Sequence, residues 1–149
     1  MTCWIIPVSE ANWEVIKKLN VYGALEDSAA PKLIKAGDYL VFYVTVKGSR
    51  ALGGKFVGVY KAVSDWFKEN KPLWPDEVAE GKVKYPWRIR IEPVKLGVAD
   101  FKELADKLSF TKGRKMPQAM LVGMPANMRK PIPEEDLKII LDSLKPYTL

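Results

Sequence analysis

Residues Tyr39 to Val46 read Tyr-Leu-Val-Phe-Tyr-Val-Thr-Val, an uncharged run dominated by β-branched and aromatic side chains. Such side chains suit a pleated, packed backbone, so residues 38–46 predict a central strand. The turn-forming segments Lys47-Gly48-Ser49-Arg50 and Gly53-Gly54 follow, and residues 55–63 predict a second strand, paired with the first as a hairpin with a long loop. A chain that commits this much sequence to a hairpin needs a sheet-based fold. Its 149 residues suit one domain, taken as residues 1–149, and 48% hydrophobic content is enough for a sizeable core.

The rest of the chain supplies shorter elements. Residues 2–8 form an apolar run that predicts a buried strand, and Ser9 can cap a helix to about Lys18 with Trp13, Val15, Ile16 and Leu19 near one face. Asn20 to Gly23 break that helix, and residues 31–36 allow one more helical turn. Residues 65–81 are polar and contain prolines, and hold Trp66, Phe67 and Trp74 without clear periodicity. From Tyr85 to Leu96 the pattern alternates, with Trp87, Ile89 and Ile91 on one side and Arg88, Arg90 and Glu92 on the other. This predicts a half-exposed strand carrying two arginines outward. Asp100 caps a helix with Phe101, Leu104, Ala105 and Leu108 on its buried stripe, and Pro133-Glu134-Glu135 open a last helix to about Leu144. These elements predict an α+β domain with an antiparallel, barrel-like sheet and flanking helices.

Two scarcities narrow the chemistry. The chain has no histidine, which removes Ser-His-Asp triads, Cys-His pairs and His-ligated zinc. Its single cysteine, Cys3, can form neither an internal disulfide nor a thiolate cluster, which points to a reducing, cytoplasmic setting. The N-terminal residues lack a basic leader and a long apolar core, so they do not predict a signal peptide. Asp38, Asp65 and Asp76 sit apart in turn-like settings, and no paired-carboxylate spacing or phosphate-cradling glycine motif occurs. A non-catalytic protein without cofactor or metal is the expectation. Few amides beside many Lys and Glu suggest heat adaptation.

Charge and aromatic content point to a polyanion. The formal net charge is +6. Between Asp106 and Glu134 there is no acid but there are Lys107, Lys112, Arg114, Lys115, Arg129 and Lys130; between Glu80 and Glu92 lie Lys82, Lys84, Arg88 and Arg90. Acid-free basic segments suit a nucleic-acid backbone, DNA or RNA, with a solubilising lysine coat as the alternative. Tyr22 and Trp74 stand in Gly- or Pro-marked turns, where a ring can wall a slot for a flat base or can pack under a loop. Tyr43, in its apolar strand, reads first as core. Asn12, beside Trp13, could meet a base edge through its amide or could be an ordinary helix position. Met116, Met120, Met124 and Met128 recur every four residues, but Pro117, Gly123 and Pro125 argue against one helix, so they predict irregular core filling or a contact surface.

Several segments together resemble the EVE domain, a PUA-like family related to the YTH readers of methylated adenine. They are Trp4-Ile5-Ile6, Asn12-Trp13-Glu14, Val21-Tyr22-Gly23, Gly37 to Val44, Gly58-Val59-Tyr60, Leu73-Trp74-Pro75, Tyr85 to Ile89, Leu108-Ser109-Phe110 and Pro133 to Asp136. The resemblance implies a partly open β-barrel with a pocket between the first strand–helix junction and the barrel rim. It implies a base pocket drawn from Ser9, Asn12, Trp13, Tyr22, Gly23, Tyr43 and Trp74, with Tyr22 where the family usually has tryptophan. The phosphate backbone would lie on Lys82, Lys84, Arg88, Arg90, Lys112, Arg114, Lys115, Arg129 and Lys130. A module that reads a modified base follows; a binder of free nucleoside-like molecules is the alternative, and an enzyme acting on a base or its sugar is a third. On this reading Trp74→Ala should abolish discrimination between bases and leave the fold intact.

Overall fold

In the computed structural model, which describes residues 2–115, 117 and 131–146, the predicted hairpin is the centre of a six-stranded sheet. The strands are β1 (Cys3–Val8), β2 (Val21–Ala24), β3 (Tyr39–Val44), β4 (Lys55–Ala62), β5 (Phe67–Lys68) and β6 (Trp87–Asp100). Their order is β1-β3-β4-β6-β2, with β5 also on β6. All pairs are antiparallel except β1–β3, which is parallel, so the sheet is mixed where wholly antiparallel pairing was expected. The 14-residue β6 binds β4 through its second part and β2 and β5 through its first, and the sheet curls into a half-barrel.

Strand parity divides the core in two. Trp4 and Ile6 of β1 and Leu40, Phe42 and Val44 of β3 point to one apolar cluster, shared with Trp13 and Ile16. Cys3, Ile5, Val41 and Tyr43 point to the other, shared with Phe56, Phe101 and Ile140. Since successive strand residues face opposite sides, β3 is apolar throughout because both of its faces are covered.

Five helices among the described residues cover the sheet. Helix α1 (Glu10–Leu19) is capped by Ser9, whose Oγ accepts the Asn12 N–H at 3.1 Å, and ends at Asn20 in the left-handed region (φ 55°). Trp13 and Ile16 are buried on it, while Leu19 is exposed, one position past the buried stripe. Helix α2 is Ala30–Leu33 and α3 is Pro75–Glu80, the latter inside the segment that showed no periodicity. Six residues are too few to display a helical repeat. Helix α4 (Phe101–Leu104) has Asp100 as its cap, and α5 is Glu134–Ser143. The carboxylate of Asp38 binds the N–H groups of Thr2 (3.2 Å) and Lys35 (2.9 Å) and the Trp4 indole (3.2 Å), which pins β1 beside β3. No helix among the described residues is long and apolar enough to cross a membrane. Met116, Met120, Met124 and Met128 lie outside the described residues.

Candidate binding pocket at the first strand–helix junction

Where β1 ends and α1 begins, the chain borders a cavity of about 310 Å³. Pro7 and Val8 supply its floor from β1, Ser9, Asn12 and Ile16 come from α1, and Tyr22 and Gly23 come from β2. Trp74, Asp76 and Tyr85 close it from the segment around α3. On α1, positions 9, 12 and 16 share a face by helical spacing. Trp13 does not line this cavity: its ring packs at 5.6 Å from Phe42 and 6.0 Å from Tyr60 in the core. Tyr43 is likewise corrected. It lies on the opposite sheet face, 5.7 Å from Phe56 and 6.1 Å from Phe101. The sequence-derived set is therefore reduced to Ser9, Asn12, Tyr22, Gly23 and Trp74, joined by five residues that it omitted: the apolar Pro7, Val8 and Ile16, and Asp76 and Tyr85.

The three rings of the cavity are held in different ways. Tyr22 is half-buried, with edge contacts to Phe42 (5.9 Å) and Trp66 (6.1 Å), and burial pushes its hydroxyl up to about 12. Trp74 is 2% exposed and meets Tyr85 edge-on at 5.5 Å. Trp74 can sit so deep because it faces a glycine: a Cβ on Gly23 would fall 2.4 Å from its Cη2. Gly23→Ala should therefore displace the indole and lower stability by about 1–3 kcal/mol, the usual cost of overpacking. Chemical denaturation checks this; an unchanged midpoint would show that the ring has room to spare.

Polar bonds fix the third ring. The Tyr85 hydroxyl donates to Asp76 Oδ2 at 2.5 Å, and Asp76 Oδ1 accepts the Glu77 N–H at 3.0 Å. Burial first, and the Asp76 carboxylate second, push the Tyr85 hydroxyl far above the usual tyrosine range, while a hydrogen bond from the Asn12 side chain opposes them. Both pocket tyrosines are thus neutral at physiological pH.

A buried ion pair holds the α3 segment in place. Glu77, 0% exposed, accepts the N–H groups of Leu73 (2.8 Å) and Trp74 (3.2 Å) on one oxygen and those of Lys84 (2.8 Å) and Tyr85 (3.0 Å) on the other. Burial alone would raise its pKa, but the four donors outweigh it and the net shift is downward. Arg88, also 0% exposed, lies 3.5 Å from Glu77 and 3.1 Å from Glu69. Its guanidinium also donates to the carbonyls of Tyr85 and Lys71 and stacks 5.2 Å from the Trp74 ring. Arg88 does lie opposite Ile89 on β6, as the alternation predicts, but that face is roofed by residues 69–85 and not by solvent. Its assignment to a phosphate backbone is withdrawn, since an enclosed guanidinium cannot reach one.

The other cations differ in freedom. Lys82 and Arg90 are exposed, and Arg90 lies over the Phe67 ring. Lys84 is half-buried and paired with Glu80. Lys112, Arg114 and Lys115 are exposed, with Arg114 Nε donating to the Phe110 carbonyl at 3.0 Å. Arg129 and Lys130 lie outside the described residues. Among the described residues no group of three or more Cys, Asp or Glu side chains is placed to hold a metal.

The chain matches known proteins in both family and fold. The family described as EVE domain matches residues 2–143. A UPF0310 protein of Saccharolobus solfataricus is 37% identical over 149 residues, spanning 100% of this chain and 99% of its own. A UPF0310 protein of Pyrococcus abyssi is 36% identical, spanning 94% and 97%. Among solved structures, the YTH domain of the Zygosaccharomyces rouxii MRB1 protein, in complex with N6-methyladenosine RNA, superimposes with a TM-score of 0.59 at 17% identity, covering 99% of this chain and 90% of that one. The Pho92 YTH domain, in complex with m6A, gives 0.61 at 18% identity, covering 95% and 84%. At these identities the solved structures share the fold.

Proposed function

Because this chain belongs to the EVE domain family, we propose that it is a non-catalytic nucleic-acid-binding module whose cavity takes up one modified base turned out of its strand. The observation that carries this is convergence: three rings from two separate segments, Tyr22 on β2 and Trp74 and Tyr85 around α3, border one cavity with the polar side chains of Ser9, Asn12 and Asp76. A volume near 310 Å³ is at the small end of ligand sites, which suits a single base better than an extended ligand. The YTH domains of similar fold were solved with methylated adenosine, which supports a base as the guest here.

The energetics are consistent with uptake from a strand. Turning a base out costs roughly a few kcal/mol, and stacking on an aromatic ring returns about 1–3 kcal/mol. The exposed cations Lys82, Arg90, Lys112, Arg114 and Lys115 would hold the flanking phosphates, with Lys84 available if its pairing with Glu80 is exchanged for phosphate. Counterion release would then make affinity fall as salt rises.

Tyr22→Leu tests the reading, because it keeps apolar contact with Phe42 and Trp66 but removes the stacking ring. Titration of modified and plain oligonucleotides, in DNA and RNA, should show a loss of about 1–3 kcal/mol in the variant. Affinities unchanged by the substitution would place binding elsewhere. Thermal stabilisation by free nucleosides, with oligonucleotides inert, would favour a small-molecule site instead.

A further inference from the structure

We infer that Asp76 sets the specificity of this cavity, so that it admits bases bearing an exocyclic amine and rejects those with a keto oxygen at the same position. The inference rests on the base-binding reading and adds the edge by which the base is chosen.

The argument is one of donors and acceptors. Asp76 carries the only charged side chain among the residues that border the cavity. An ionised carboxylate accepts hydrogen bonds and offers none, and has about four lone-pair positions. Two are taken, by the Tyr85 hydroxyl at 2.5 Å and the Glu77 N–H at 3.0 Å. The others are left for a guest. The Tyr85 proton is committed to Asp76 by a short, charge-assisted bond, so this hydroxyl has no proton to offer a guest. The wall formed by Asp76 and Tyr85 is therefore an acceptor surface.

Asn12 borders the same cavity from α1, and its side-chain amide carries two N–H donors. Acceptor at Asp76 beside donor at Asn12 is the complement of an exocyclic amine next to an unprotonated ring nitrogen. Cytosine and adenine carry that pattern. Uracil, thymine and hypoxanthine carry its inverse, a keto oxygen next to a ring N–H, and would set oxygen against carboxylate. A site built to satisfy a donor discriminates strongly against an analogue without one, because its own polar groups are then left unpaired. The negative charge also disfavours anionic guests.

Two pairs of otherwise identical single-stranded oligonucleotides test this: 5-methylcytosine against thymine, which share the methyl group, and adenine against hypoxanthine. The wild-type protein should bind the amine member at least about tenfold more tightly, the scale of one hydrogen bond made or lost. Asp76→Asn exchanges one acceptor for a donor and should bring the ratio close to one. Tyr85→Phe retains the carboxylate and should keep the preference for the amine. Equal or keto-favouring binding by the wild type, a ratio that survives in folded Asp76→Asn, or a preference lost in folded Tyr85→Phe would each overturn the assignment. If the wild type does not discriminate but Tyr22→Leu still weakens both members, the base pocket stands and the role of Asp76 falls. If no oligonucleotide binds, both fall.

Discussion

Glu77→Gln should lower the unfolding free energy by about 3–5 kcal/mol, the usual cost of breaking a buried ion pair from one side. At this chain length that corresponds to a fall in Tm of roughly 6–20 °C. Glutamine retains one acceptor but turns an NH₂ group towards two of the four backbone N–H groups now held at 2.8–3.2 Å. It also leaves the enclosed Arg88 with Glu69 as its remaining counter-charge. Glu80→Gln, three residues away on the surface, should leave the midpoint essentially unchanged, because exposed pairs contribute little. Denaturant melts of the two variants check this, and equal effects would contradict it. The same group gives a pH dependence. The Glu77 pKa is lowered in the folded protein, so its stabilisation is complete above the unfolded value of about 4.3. It is lost as the pH falls through the folded value. In Glu77→Gln that part of the acid sensitivity should disappear.

Trp74→Ala carries the second large effect, about 3–5 kcal/mol for removing a buried tryptophan. The indole is 2% exposed and fills the space between Gly23, Tyr85 and Arg88. The sequence suggested that this substitution would spare the fold; a side chain so enclosed cannot be removed without opening a void beneath α3. Loss of binding in Trp74→Ala would therefore mix a missing wall with a loosened segment. Trp74→Phe, which keeps an aromatic body, should recover most of the stability in calorimetry while still weakening base binding. A Trp74→Ala variant that melts with the wild type would show that the ring is not structural.

The features legible in the sequence were those set by local periodicity and capping. Residues 39–44 and 55–62 form the strands expected from their β-branched runs, Ser9 and Asp100 cap helices, and Phe101 and Leu104 are buried as the stripe predicts, although that helix ends at Leu104, short of Leu108. Segments that depend on distant partners were not legible. Arg88 follows the alternation of β6, yet nothing local states that residues 69–85 fold back over that face. Tyr43 and Phe42 are neighbours in an apolar run, and only the placement of helices on each side of the sheet decides which of them packs against Tyr22.

The cavity itself was half-legible. Tyr22, Gly23 and Trp74 stood out through turn chemistry, and Ser9 and Asn12 through the start of α1. Asp76 and Tyr85 were passed over because their bond joins residues nine apart across a helix too short to show a repeat. One signal was available: Glu77 follows Trp74-Pro75 at the spacing of a helix start, where a carboxylate at the third position returns to the backbone N–H before it. That would have marked the turn as built, and its neighbours as positioned.

The most direct test is to locate a bound oligonucleotide on the protein. Titrating isotopically labelled protein with a short single strand carrying one modified base, followed by amide chemical shifts, should give its largest changes at Ser9, Asn12, Tyr22, Gly23, Asp76 and Tyr85. Those changes should depend on the modification and persist at salt concentrations that remove the shifts at the exposed lysines. Changes confined to the basic surface, identical for modified and plain strands and abolished together by salt, would contradict a base-reading cavity.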